Sequence, residues 1–450
     1  MQEEKRKYGL LMAIAMIVGI VIGSGIFFKA DDILILTNGN VALGCIVLII
    51  GAAGIIFGGI TIAEWAKVTD DTGGLISYAE KAFGKNFAFF IGWFQMIVYY
   101  PSLIAVVSWV ASNYIIQLFS NIVSLHDYVW LITIIFMSIL YIINSVSTKI
   151  AGYIQTSAMF IKLIPLFLIG LLGICFGNFS AIDMNSISTN SIMAGSSAIV
   201  AAAFSYDGWS IAPSICHEIK NAKRNLVIAL TVAPILILVV YMVYYLGMVF
   251  LLGPEKIMML QDQAFEAVAI KLAGPKFAKL LLGCVVISVI GSCNGIIMGS
   301  CRIPRAMALR KELPYAKQFA TLHPKYDVSL YSHGISFMLS CIWLVIHYAS
   351  IHSTMLQDLK IDISGLPIVI MYMFYFALYI GVIRYARKGN IKNVFLGYIC
   401  PIFACIGAGV VIYGGMVSDN GWVYFVISLL LLATGGMMLY FLKKKENYGE

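Results

Sequence analysis

Charged residues are scarce in this sequence: Asp, Glu, Lys and Arg make up 12% of its 450 residues. Soluble domains carry about 25% charged residues and are about half apolar, whereas this chain is 61% hydrophobic and has a mean hydropathy of +0.91. No Ser- or Pro-rich linker and no polar stretch of domain size interrupts it. The composition therefore predicts an all-α polytopic membrane protein with a single transmembrane domain over residues 1–450.

Patterns of reactive side chains are also missing. The nine cysteines lie mostly in apolar runs and include no CxxC pair, and an isolated Cys in such a run behaves as a small hydrophobe. The six histidines fall near the ends of apolar segments or between them, without an obvious nucleophile–base pair. We therefore expect no disulfide framework, metal site, cofactor or catalytic residue, and no enzyme activity. A ring of polar residues along one pore, as a channel requires, is absent too.

Long apolar segments occupy most of the chain. A bilayer core needs about 20 apolar residues per helix, and twelve segments meet this requirement: 8–28, 41–66, 87–119, 128–146, 152–177, 190–214, 225–252, 276–301, 331–349, 361–384, 394–416 and 421–442. With the N-terminus in the cytoplasm, 23 of the 30 Lys and Arg residues face inward, six face outward, and Lys162 lies within a segment. This asymmetry predicts that both termini are cytoplasmic. It also accounts for the net charge of +8 without a nucleic-acid partner.

Two of the twelve segments are interrupted at mid-depth by small and polar residues. The first contains GIVIGSGIFFK (19–29), and the sixth contains AFSYDGWS (203–210). Glycine is a poor helix former, so both sequences predict a break in the helix. Because the two segments are five apart, they cross the bilayer in opposite directions, which is typical of inverted repeats around a central binding site. The repeats would span 8–177 and 190–384, with two additional helices over 394–442.

A broken helix exposes free amides at one new end and free carbonyls at the other. The first attracts anions and the second attracts cations, so two breaks that meet at mid-depth suit a zwitterionic amino acid. The amides of Ser24, Gly25 and Ile26 would then bind the carboxylate, while glycine lets the backbone turn close to the ligand. The expected substrate-binding residues are Ile20, Val21, Gly23, Ser24, Gly25, Ile26, Ala203, Phe204, Ser205 and Asp207. The alternative for the glycines alone is close helix packing.

Four further polar residues lie within apolar segments. Lys162 is ten residues, or roughly 15 Å, into its segment, where a charge costs at least about 2.5–3.5 kcal/mol. It should therefore face the bundle interior, the alternative being a side chain that snorkels to the interface. Asp207 either caps the restarted helix, contacts a ligand ammonium, or packs. Tyr99 is a possible pocket residue, and Asn294 either hydrogen-bonds across helices or approaches the site.

Four stretches of the sequence resemble one known family. GIVIGSGIFFK and FSYDGWSIAPSICHEIKNAKRNL (204–226) resemble the first and sixth helices of the amino acid–polyamine–organocation (APC) superfamily of permeases. Residues 58–95 resemble its second and third helices, and SCNGIIMGSCRIPRAMALRKELP (292–314) resembles its eighth. The similarity is greatest to the L-amino-acid transporter branch, notably its bacterial serine/threonine exchangers.

The resemblance implies a LeuT-like fold with a five-plus-five inverted repeat, broken first and sixth helices, and two C-terminal helices. It also implies a bacterial plasma-membrane antiporter that works without Na⁺, with Phe204 as an outer gate. Lys162 would stand where Na⁺-coupled relatives bind sodium, either as a fixed charge or as a group that releases a proton in a proton symporter. Since the loop SNIVSLHDY (120–128) lacks Cys, no disulfide-linked accessory subunit is expected. The expected substrates are small neutral amino acids such as serine, threonine and alanine; the alternative is a cationic amino acid or a polyamine, with Asp207 as its countercharge.

Overall fold

A computed structural model describes residues 6–23, 25–28, 30–119, 126–179, 202, 205–354, 363, 365–417 and 421–447. These residues are almost entirely helical and contain no β-strand; one isolated bridge joins Tyr8 to Ile219. The longer helices are α1 (Leu10–Val21), α2 (Val41–Val68), α3 (Lys85–Phe119), α4 (Val129–Val146), α5 (Thr148–Phe176), α6 (Ala222–Leu252), α7 (Pro275–Ser300), α8 (Leu330–His352), α9 (Gly365–Arg387), α10 (Cys400–Val417) and α11 (Gly421–Asn447).

Ten helices in the described part of the chain are long and apolar enough to cross a bilayer. They match ten of the twelve predicted segments, with ends that agree within about six residues. The first predicted segment is a shorter apolar helix, α1, followed by a separate 3₁₀ helix at Gly25–Phe28. The sixth, 190–214, lies mostly outside the described residues. The all-α membrane architecture is thus confirmed, while twelve crossings remain a prediction.

Short helices occupy the polar connections near 67–86, 253–275 and 302–330, which lie between predicted apolar segments. The short α-helices are Ala30–Leu36, Leu75–Phe83, Pro254–Leu260, Ala264–Ala273, Ile303–Leu309 and Ala316–Ala320, and further 3₁₀ helices are His126–Tyr128, Trp209–Glu218 and Gln261–Gln263. In Leu75–Phe83 the first five residues, 75–79, are all buried. Tertiary packing around this half of the helix stabilises a segment too short to persist alone.

Two prolines set the local shape of α3 and of the helix leading into α10. Pro101 follows a π-helical turn at Gln95–Tyr99, and Pro401 follows another at Phe395–Ile399. Proline has no N–H to donate to the carbonyl four residues earlier. In α3 that carbonyl, on Ile97, instead accepts a hydrogen bond from the Trp343 indole at 2.7 Å. The indole therefore pairs a carbonyl that the proline leaves without its α-helical donor, within a π-helical turn of the kind that is frequent at functional sites.

The centre of the bundle is α1. Nine of its twelve residues are buried, and it contacts α5, α6, α7 and the 3₁₀ helix Trp209–Glu218. The residues just before α1 are fixed by two backbone hydrogen bonds. The Tyr8 amide donates to the Glu218 carbonyl (3.0 Å), and the Lys220 amide donates to the Tyr8 carbonyl (2.8 Å). The helices that adjoin the two interrupted stretches, α1 and Trp209–Glu218, therefore contact each other inside the bundle.

Candidate functional site

The first interruption begins where α1 ends at Val21. In a continuous helix the Gly23 amide would bond the Gly19 carbonyl, but here it donates to Val21 at 2.9 Å. The Gly19 and Ile22 carbonyls are instead bound by the ammonium of Lys162, which reaches across from α5 at 2.6 and 2.5 Å. Lys162 is completely buried, so it faces the bundle and does not snorkel.

Two serines of α7 complete the coordination of this lysine. The Lys162 ammonium also donates to the Ser288 carbonyl at 3.1 Å and to the Ser292 hydroxyl at 3.3 Å. Ser292 in turn donates to Gly19 at 3.0 Å, and Ser288 donates to Ile22 at 3.3 Å. The four-residue spacing of the serines places both on one face of α7. An ammonium, two hydroxyls and three carbonyls thus form one closed polar cluster at the end of α1.

The second interruption lies directly against the first. Residues 205–208 form a turn that ends at Gly208, whose φ of +97° favours glycine. A Cβ at Gly208 would lie 2.7 Å from a methyl group of Ile20, in the last turn of α1. The chain then continues as the 3₁₀ helix Trp209–Glu218. Glycine is therefore required at this position both by its conformation and by the close approach of the two interrupted stretches.

Tyrosines of α6 link the two interruptions, and the sequence analysis did not identify them. The Tyr241 hydroxyl lies 3.1 Å from the carbonyl oxygens of both Val21 and Ser205, so it bridges the two stretches. Tyr244 donates to the Phe27 carbonyl at 3.0 Å. The chain contains 25 tyrosines, and nothing in the local sequence distinguishes these two from tyrosines that only pack.

Asp207 lies in the turn of the second interruption, next to α3. Its Oδ2 accepts a hydrogen bond from the Tyr99 hydroxyl at 3.0 Å, whereas its buried Oδ1 has no hydrogen-bond partner among the described residues. Gly208, not Asp207, occupies the N-cap position of the following 3₁₀ helix. An unpaired buried carboxylate oxygen is costly, so this position suits a ligand that carries a hydrogen-bond donor.

Asn294 belongs to an interhelical network. Its Nδ2 donates to Gln155 Oε1 and to the Ala151 carbonyl, both at 3.1 Å, and its Oδ1 accepts from Asn144 at 3.0 Å. Gln155 continues the network to the Ala15 carbonyl of α1 at 3.2 Å. The structure therefore shows the cross-helix hydrogen bonding that was one of the two expectations for Asn294.

Apart from Asn294, the predicted site residues fall into three groups. Those at the first interruption are Ile20, Val21, Gly23, Gly25, Ile26 and, from α5, Lys162; those at or beside the second are Ser205, Asp207 and Tyr99; those outside the described residues are Ser24, Ala203 and Phe204. Across the described ranges, no group of three His, Cys, Asp or Glu side chains is arranged to hold a metal ion. The site offers backbone polar groups from two broken stretches, one buried cation and one buried carboxylate.

The sequence of the chain matches a known protein family and several known transporters. The family described as Amino acid permease matches residues 8–439. The serine/threonine exchanger SteT of Bacillus subtilis is 29% identical over 448 residues, covering 98% of each chain. The human Asc-type amino acid transporter 1 is 28% identical over 322 residues, or 69% of this chain and 60% of its own. The mouse b(0,+)-type amino acid transporter 1 is 25% identical over 463 residues, or 99% and 89%.

These relatives are transporters and not enzymes. The ten long apolar helices in the described part of this chain, together with the family match, indicate a multi-pass membrane protein. The family match extends over nearly the whole chain and includes both interruptions. The chain therefore belongs to the amino acid permease family.

Proposed function

We propose that the protein exchanges small neutral L-amino acids, with serine and threonine foremost, across the plasma membrane by alternating access and without Na⁺. The observation that carries this proposal is the Lys162 ammonium on the carbonyls of Gly19 and Ile22. In transporters with broken helices, unwound carbonyls of this kind coordinate the coupling cation. Here a covalently attached ammonium already supplies the positive charge, so a sodium ion is not needed.

The hydrogen bonds of Lys162 favour a charge that persists through the cycle. All three backbone partners are carbonyl oxygens, which accept but cannot donate. A neutral amine would turn its lone pair toward an acceptor and lose one of these bonds. With no proton released and no sodium bound, exchange of one amino acid for another is the simplest coupling. Proton symport is the alternative, and it requires Lys162 to give up its proton.

The substrate would lie between the two interruptions. Its carboxylate would bind the amides of residues 24–26, and its ammonium would bind carbonyls at 20, 21 and 203–205. The bridge from Tyr241 to Val21 and Ser205 supports this arrangement, because it holds two of those carbonyls together. In the same proposal Phe204 closes the site from outside. The substrate choice rests on the name of the bacterial relative, a serine/threonine exchanger.

The proposed architecture has twelve crossings with both termini in the cytoplasm. It consists of the inverted repeats 8–177 and 190–384 and two further helices within 394–442. The distribution of Lys and Arg supports the orientation, and the contact between the two interruptions supports the repeat. The chain would work without a disulfide-linked accessory subunit.

One observation favours a second candidate, a carrier of cationic amino acids or polyamines. The unpaired Oδ1 of Asp207 could bind a cationic side chain. Competition separates the two candidates: proteoliposomes loaded with serine take up labelled serine while unlabelled threonine, alanine, arginine or putrescine is present outside. The proposal predicts that threonine and alanine block uptake and that arginine and putrescine do not. Block by arginine or putrescine alone would replace it with the second candidate.

A further inference from the structure

An apolar cavity of about 250 Å³ lies between α2, α9 and α10. The cavity lies beside a close crossing of α2 and α10, where a Cβ at Gly407 would lie 2.5 Å from the Cα of Gly54. The cavity is lined by Ile50, Ala53 and Phe57 of α2, by Ile406 and Val410 of α10, and by Tyr372 of α9, among others.

The cavity lies at mid-bilayer depth. Gly54 is 13 residues from the start of α2 and 14 from its end, or about 20 Å from either end at 1.5 Å per residue. The hydrocarbon core is about 30 Å thick, so the ends of the lipid chains surround this level. Water is absent there, and no ligand that needs hydrogen bonds would be stable in an apolar cavity at that depth.

The rim of the cavity belongs to the lipid-facing surface. Among its lining residues, Ile50 is 42%, Phe403 49% and Ile406 57% exposed. On a helix that crosses a membrane, exposed apolar side chains at this depth contact hydrocarbon. The cavity is therefore continuous with the surface that the bilayer already covers, and a lipid chain reaches it without crossing any polar group.

We propose that the cavity is a binding site for the terminal part of a phospholipid acyl chain. Its volume falls below the roughly 300–1,000 Å³ of pockets that enclose a whole small molecule, so it accepts one segment of a longer apolar molecule. An empty cavity would leave its wall atoms without dispersion contacts, and a chain segment restores them. The chain end stays connected to a headgroup that remains at the interface.

The inner wall of this cavity connects it to the second interruption. Tyr372 is 3% exposed, and its ring packs edge-on against Tyr375 with centroids 5.2 Å apart. The Tyr375 hydroxyl is hydrogen-bonded to Ser210, and its ring contacts Trp209 at 5.4 Å. A bound acyl chain therefore packs against Tyr372, and the Tyr372 ring packs in turn against Tyr375, which contacts the start of the Trp209–Glu218 helix.

Photolabelling tests the site directly. The purified full-length protein is reconstituted in phosphatidylcholine vesicles that contain a phosphatidylcholine with a diazirine near the end of one acyl chain, and labelled peptides are mapped by mass spectrometry. We expect labels on cavity residues in 50–57 and 403–411 to exceed those on other lipid-facing residues of α2 and α10 by about tenfold, as a site stabilised by about 1.4 kcal/mol would show.

Two matched substitutions on α10 provide the control. Ile406→Phe fills the cavity and should remove the excess labelling, whereas Ile402→Phe, at a residue 49% exposed one turn away and outside the cavity, should leave it unchanged. If Ile406→Phe does not fold, Ala53→Leu fills the same space from α2. Even labelling along both helices, labelling absent from the cavity, or equal effects of the two Phe variants would overturn the proposal.

Discussion

Replacing Lys162 with methionine keeps most of the side-chain volume and removes the ammonium that organises the end of α1. The change deletes all four hydrogen bonds of the ammonium, of which the two short ones are each worth about 1.5–3 kcal/mol because the donor is charged. It also removes the cost of a buried charge, about 2.5–3.5 kcal/mol. Since Ser288 and Ser292 still donate to the same carbonyls, we expect a net loss of about 2 kcal/mol.

That loss should appear in transport. If it falls on the conformation that binds substrate, about 2 kcal/mol corresponds to a roughly 30-fold slower exchange at low serine concentration. The assay is uptake of labelled serine into proteoliposomes loaded with unlabelled serine, normalised to the amount of folded protein recovered by size exclusion. Lys149→Met is the matched control, because Lys149 begins the same helix and is exposed. A folded Lys162→Met protein that exchanges serine within twofold of wild type would refute the reasoning.

Three further substitutions test other contacts. Tyr241→Phe removes the hydroxyl that donates to the Val21 and Ser205 carbonyls. Loss of this donor costs about 1–3 kcal/mol, so the KM for serine should rise about tenfold. An unchanged KM would exclude a role of this hydroxyl in serine binding. Glu218→Ala removes the carboxylate that lies 2.7 Å from Arg302 and leaves the buried guanidinium without a countercharge, at a cost of about 3–5 kcal/mol. The thermal unfolding temperature should therefore fall, and an unchanged unfolding temperature would contradict this. Burial raises the pKa of Glu312 from 4.5 to about 7, so the folded protein loses stability as pH rises through 7. Glu312→Gln should therefore be up to about 3 kcal/mol more stable than wild type near pH 8 and equal to it near pH 4.5; a parallel pH profile of both proteins would refute this.

Features that depend on one stretch of sequence could be predicted. The long apolar runs gave ten helices close to their observed bounds, and the glycines of residues 19–25 marked the end of α1. The depth of Lys162 followed from counting residues along its segment, and burial of its side chain followed from the cost of a charge in hydrocarbon.

Features that depend on contacts between distant residues could not be predicted. Ser288 and Ser292 are ordinary residues in an apolar helix until Lys162 and the Gly19 carbonyl approach them. Tyr241 differs from other tyrosines only because its hydroxyl contacts both interruptions, at Val21 and at Ser205. These two residues are 184 positions apart in the sequence. No periodicity encodes such a meeting point. The π-helical turn at Tyr99 similarly depends on an indole supplied by α8.

The short helices in the connections were missed for a related reason. Ile303–Leu309 begins with a proline in its first turn, a favourable helix start, but its seven residues are too few for a periodic pattern to stand out. Its burial beneath the bundle, where all but one of its residues are buried, provides the stabilisation that local sequence lacks.

The most direct test of the proposed function compares labelled serine uptake into two sets of proteoliposomes in sodium-free buffer, one preloaded with unlabelled serine and one empty. Exchange with a permanently charged Lys162 predicts rapid uptake into the loaded vesicles and almost none into the empty ones, with or without an inward proton gradient. Concentrative uptake into empty vesicles driven by that gradient would contradict this account and would make the protein a proton symporter with a titrating Lys162.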